Sequence, residues 1–407
     1  MVFDKPRKAV SLHFPHIQKE ALGLYLTSFI RSFAVSLPGI FVPVFIFEHA
    51  NQPLILENVT ANGILWIVLY YLAYAVFSVW ANIYLTNFVF LWLGFKKSIL
   101  FGLVALMLGI ACLVFSEQIF LLVLLAGTFF GLSVHFYWIP FHVFFVRKAN
   151  DGGNFGEETA LRLLVESLAS STGPILSALI IRFSGFDLLF MVTLVILGLA
   201  AVPVFLLLEE SKHRQHDVFG VFKSFWRDKK KIKLSLGLAG MSTEGILFEI
   251  FWPILLYLVL RDVVKMGAII TFSSVLSIFL MLWAGRVFEN KKKRGVFTYS
   301  VLVNAFLHLV RIFAATSIFV YVIDIVDRIN GKFSSVGLTS RVYDLAQNNG
   351  TSDFLIYREI LAHSAQIVVL LLAALILVSG LNWRLVFLLA AACAVLPVFL
   401  FDKKLDK

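Results

Sequence analysis

The chain has 407 residues, 60% of them apolar and only 15% charged, where an ordinary soluble domain approaches roughly a quarter charged, and its formal net charge is +10. That composition excludes an ordinary soluble domain and marks an integral membrane protein. The positive balance does not point to nucleic acid, because Lys and Arg collect in alternate gaps between apolar runs.

Spans are predicted over 21–47, 63–91, 98–116, 119–147, 159–183, 187–208, 233–260, 266–288, 296–314, 317–339, 354–379 and 382–401, twelve in all. Each approaches the ~20 residues that cross a ~30 Å hydrocarbon core as helix. The gaps are short, and lipid permits no open strand edge, so the expected fold class is an all-α integral membrane protein. The alternating ten-residue segments of a transmembrane β-barrel are absent. The first 20 residues are too polar for a signal peptide, so the first span is expected to be retained.

In chain order, span 1 carries Arg31 about ten residues in, and Pro38-Gly39 further on. The loop after it holds Glu48, Glu57 and the sequon Asn58-Val59-Thr60. Gly94, Lys96 and Lys97 follow span 2. Span 4 contains the aromatic run His135-Phe136-Tyr137-Trp138-Ile139-Pro140-Phe141-His142, and Arg147 and Lys148 follow it. The turn Gly152-Gly153-Asn154-Phe155-Gly156 lacks the Lys and Ser/Thr of a phosphate cradle. Span 5 has Arg162 and Glu166 four residues apart, suited to pairing along a helix. The longest gap, 209–232, is dense in Lys and Arg; in it Val218, Phe219, Phe222, Phe225 and Trp226 recur at spacings of three and four, as in a helix lying in the interface. Span 7 carries Glu244, Glu249 and Pro253, and span 10 carries Asp324, Asp327 and Arg328. Span 9 has His308 and Arg311 toward one end, and span 11 has His363. Cys112 and Cys393 lie inside spans, which argues against a disulfide framework. His13 with His16, and His213 with His216, are spaced three apart but have no Asp, Glu or Cys at ligand spacing, so neither a metal nor a cofactor is expected.

The basic loops place both termini in the cytoplasm by the positive-inside rule. The implied organisation is a cytoplasmic segment 1–20, a six-helix bundle 21–208, a basic central loop 209–232, a second six-helix bundle 233–401 and a tail 402–407.

Six spans plus six, a basic central loop and two tight basic turns together resemble the major facilitator superfamily of secondary transporters. The later turn keeps Gly285, Arg286, Glu289 and Lys291 of the gating signature; the earlier one keeps Gly94, Lys96 and Lys97, with Asn87 and Leu91 where Gly and Asp belong. Thr172-Gly173-Pro174 in span 5 is similar to the Gly-Pro stretch of proton antiporters that act in efflux, though its small residues equally suit helix packing. The resemblance implies that spans 1, 4, 7 and 10 line a central cavity and that 3, 6, 9 and 12 face lipid. It also implies alternating access, a small-molecule substrate and a monomer in the cell (inner or plasma) membrane.

A charge at the bilayer centre costs about 2.5–3.5 kcal/mol on insertion scales, so ionisable residues gathered in the cavity-lining spans need a polar surface to face. Arg31, His135, Tyr137, Trp138 and Glu244 are the expected substrate-binding residues, and Glu244, Glu249, Asp324 and Asp327 the expected proton-coupling ones. Arg31 and Glu244 both fall near mid-membrane. They are read either as a substrate site or as a static ion pair joining the halves. Glu249 is about 140° around the helix from Glu244, so the two cannot meet one ligand atom. The function expected is proton-coupled transport of a small organic solute; a sensor or scaffold, or a polytopic enzyme, are the alternatives.

Overall fold

The computed structural model describes residues 19–50, 58–152, 155–207, 215–227, 229–288, 293–348 and 350–401. All regular structure among these residues is helical. The first half runs α1 (Lys19–Gly39), α2 (Val42–His49), α3 (Val59–Tyr84), the short α4 (Thr86–Phe88), α5 (Phe95–Phe115), α6 (Leu122–Gly152), α7 (Phe155–Ser171) and α8 (Gly173–Ala200). After α9 (Val218–Arg227) the second half runs α10 (Lys229–Leu260), α11 (Val263–Phe288), α12 (Lys293–Arg311), α13 (Ser317–Asn348), α14 (Thr351–Val378) and α15 (Val386–Val395).

Local sequence sets the breaks. Pro38 closes α1 before Pro43 opens α2. Asn58 caps α3 by accepting the Ala61 backbone N–H at 3.1 Å. A π-helical turn over Val89–Leu93 ends at Gly94, whose φ of 76° reverses the chain into α5; a side chain is disfavoured there, which accounts for glycine at that turn.

Eight helical stretches among the described residues are long and apolar enough to cross a membrane. One of them, Arg162–Leu206, has 45 residues. At 1.5 Å per residue it is roughly 68 Å long, about twice a hydrocarbon core, and Gly185 breaks it at φ 79°. The twelve expected spans therefore count this stretch twice and add α11, α12 and α13. α12 and α13 carry the charges that matter below.

Packing joins neighbours across the chain: α1 on α8, α3 on α6, α5 on α6, α10 on α14, and α12 on both α13 and α15. The halves meet where α14 lies on α3 and α11 on α8. One large apolar core runs through both halves. A second gathers at the end that carries α9, where Val218 and Phe225 turn inward and Lys223 outward. There Phe225 stacks on Tyr357 with centroids 4.0 Å apart, so α9 packs on the bundle through Val218 and Phe225, while Phe219 of the same apolar stripe stays exposed.

Candidate functional site

Arg31 projects from α1 with 8% of its surface exposed. Its guanidinium sits 4.2 Å over the Tyr137 ring and 4.8 Å over the Trp138 ring, both from α6 and perpendicular to each other. Ring faces attract a cation but accept no strong hydrogen bond, and Arg31 Nε has no partner. Among the described residues Arg31 makes no ion pair. The carboxylate that acts on its charge, Glu166 on α7, bonds elsewhere: Ser28 Oγ donates to its Oε1 at 2.6 Å, and Arg162 Nη1 lies 3.4 Å from the same oxygen. The i, i+4 pairing expected of Arg162 and Glu166 is present.

Across the seam, Glu249 on α10 is exposed although it lies mid-helix, and the Tyr71 hydroxyl of α3 donates to it at a long 3.4 Å. Deeper on α14, Glu359 is gripped by Arg358, with His363 Nε2 at 3.5 Å. His363 Nδ1 meets Gln366 Oε1 at 2.8 Å, and Gln366 Nε2 donates to the Ser242 carbonyl at 3.2 Å. The Tyr74 ring of α3 packs edge-on against His363 with centroids 5.4 Å apart. Tyr74 is within electrostatic reach of Arg31, Glu249 and Glu359 together. Tyr71, Tyr74, Arg358 and Glu359 were not anticipated; the one signal available was an adjacent Arg-Glu pair inside an apolar run.

Glu244 does not meet Arg31. Its carboxylate turns into its own half, where His308 Nε2 donates to it at 2.9 Å. Arg311 Nη1 donates to His308 Nδ1 at 2.8 Å, and Arg311 Nη2 lies 2.8 Å from Asp327 Oδ1. The accepting Nδ1 assigns His308 as the neutral tautomer. The chain Glu244–His308–Arg311–Asp327 thus holds two carboxylates and one guanidinium. His308 and Arg311 are fully enclosed on the face α12 turns onto α13 and α15, while Leu302, Phe306 and Leu309 of the same helix are exposed. Asp324 is tied up separately, by Arg328 Nε at 2.8 Å, the Trp252 indole at 2.9 Å and the Ser273 hydroxyl.

The other anticipated residues fall into place around these. His135 is buried, with Nδ1 3.2 Å from Asn82 Oδ1. Trp138 stacks on His142, whose Nδ1 is 2.7 Å from the Tyr343 hydroxyl of the second half. A Cβ added at Gly173 would fall 2.1 Å from Ser36 Oγ, and Ile175 N, just after Pro174, donates to Thr271 Oγ1 of α11 at 3.1 Å. Lys96 donates to the Phe205 carbonyl at 3.2 Å, in the same turn as Gly94 and Lys97. Gly285 and Arg286 belong to the last turns of α11. Glu289, Lys291, His13, His16 and His213 lie outside the described residues. Among the described residues no group of three His, Cys, Asp or Glu could hold a metal.

The level of each charge can be counted from the far end, where Tyr257 on α10 hydrogen-bonds Glu48 on α2. At 1.5 Å per residue, Arg31 lies about 25 Å below that contact, Glu244 about 20 Å and Glu249 about 12 Å. Glu244 lies about one helical turn nearer the far end than Arg31 and faces away; Glu249 faces the other half but sits nearer the far end still.

Comparison with known proteins agrees with this architecture. The human organic anion transporter MFSD10 (TETRAN) superposes with a TM-score of 0.63 at 13% identity, covering 95% of this chain and 100% of that one. The nucleoside transporter NupG superposes with a TM-score of 0.65 at 12% identity, covering 93% of this chain and 97% of that one. No curated protein matches the sequence itself. Residues 24–340 match the family model of the Major Facilitator Superfamily, and over that span the chain is a member of this family of membrane transporters.

Proposed function

We propose that the chain is a proton-coupled secondary transporter that moves a small organic solute by alternating access between two six-helix bundles, 21–208 and 233–401. Its twelve crossings leave both termini in the cytoplasm, and it works as a monomer in the cell membrane. The observation that supports coupling is the Glu244–His308–Arg311–Asp327 chain. With a neutral imidazole it is one positive charge short of balance, and an uncompensated carboxylate in a low-dielectric interior is costly. A proton taken up by the chain removes that deficit, and its release recreates it. Gly173 and Pro174 act in this scheme by packing α8 against α1 and α11, without fixing the direction of transport.

The test uses proteoliposomes that enclose a pH-sensitive dye, offered amino acids, nucleosides, sugars and organic acids in turn. One class of solute is expected to change the internal pH as it enters. Glu244→Gln is expected to abolish that change while retaining solute exchange. Entry of a solute into wild-type vesicles with no pH change would remove proton coupling. Binding with no exchange would make the protein a transporter-shaped sensor or scaffold.

A further inference from the structure

On the seam-facing side of the first half, two guanidinium groups share one carboxylate. Arg162 and Ser28 engage Oε1 of Glu166, which reaches Arg31 only as a charge in its neighbourhood, and the direct contacts of the Arg31 guanidinium are ring faces. A guanidinium so enclosed needs an anionic partner, and its planar fork matches the two oxygens of a carboxylate. We propose that Arg31 anchors the carboxylate of an organic acid, whose apolar body lies against the half-buried rings of Tyr74 and Trp138. The proposal rests on the transport function above and names its cargo.

Three features select this class. The first half's face has a net charge of +1 here, which disfavours a cationic ligand at Arg31. Its aromatic walls reward an apolar body with area removed from water, whereas a hydrated inorganic ion gains nothing from them. Glu249 is roughly 13 Å nearer the far end than Arg31, counted along the helices. A compact zwitterion such as an α-amino acid therefore cannot place its carboxylate on Arg31 and its ammonium on Glu249 at once. Glu359, the other acid within reach of Tyr74, is already held by Arg358.

Paired probes that differ only in charge test it. Benzoate and phenylacetate, each beside its neutral amide, are titrated against the detergent-purified full chain by melting-temperature shift and calorimetry. The acids are expected to bind and the amides not. Arg31→Gln is expected to weaken acid binding at least tenfold, about 1.4 kcal/mol. Where that variant does not purify folded, Arg31→Lys carries the test, because it keeps the charge and loses the fork; weakening of about fivefold is expected. Equal binding of acid and amide, undiminished binding by the variant, or equal stabilisation by sulfate and chloride overturns the proposal. Exchange of nucleosides or sugars with no acid binding would leave transport standing and remove the organic acid. Acid binding at Arg31 without any exchange would remove transport and keep the site.

Discussion

Arg311 is fully enclosed, with Asp327 on one terminal nitrogen, His308 on the other, and the Phe248 and Trp252 rings at 4.9 and 4.8 Å. Removing it strands the Asp327 carboxylate, and breaking a buried pair from one side costs about 3–5 kcal/mol. Arg311→Met is therefore expected to lower the melting temperature sharply, and Arg311→Met with Asp327→Leu to recover much of the loss. If the double variant is as unstable as the single one, the pair is not what makes Arg311 matter. At this scale the sequence was legible where partners share a helix. Asp324 with Arg328 and Arg162 with Glu166 follow from a four-residue spacing alone. It was not legible where partners sit on different helices. That Glu244 and Glu249 diverge by about 140° is readable in one dimension, but which of them faces the first half is settled only by where α12 brings His308.

Helix α8 contains its own control for the role of close packing. Gly173 has Ser36 directly against it, whereas nothing lies within 4 Å of the Cβ position at Gly198. Alanine at Gly173 is expected to force α1 away from α8 and to destabilise by about 1–3 kcal/mol, the usual cost of overpacking. Alanine at Gly198 is expected to be neutral or to stabilise by about 0.5–1 kcal/mol through helix propensity. Thermal melts of both variants decide it, and equal effects would deny Gly173 a packing role. α9 could be placed from sequence as an amphipathic helix, although its apolar stripe is only partly buried, with Val218 and Phe225 enclosed and Phe219 exposed. α12 could not. Two ionisable groups near one end of an otherwise apolar run look the same whether that end meets lipid or neighbouring helices, and only the seats on α13 and α15 distinguish them.

A hydrogen bond joins the two halves of the chain near each end of the molecule. Tyr257 bonds Glu48 at the far end, and Tyr343 bonds His142 at the end that carries α9. Under the proposed alternating access these two contacts break in turn, so removing one should shift the equilibrium toward opening at its own end. A lost hydrogen bond of about 1 kcal/mol corresponds to roughly a fivefold change in population. Tyr343→Phe is therefore expected to open the α9 end, and Tyr257→Phe the opposite one. Pulsed spin-label distances across each end measure this once Cys112 and Cys393 have been replaced. The change must have opposite sense in the two variants: phenylalanine keeps the ring packing, so a shared direction would mean that the hydroxyls do not latch the halves. The all-helical, membrane-crossing character was readable from hydropathy because the apolar runs are long enough to span a bilayer. The latches were not, since each joins residues some two hundred positions apart and exists only when the halves face each other.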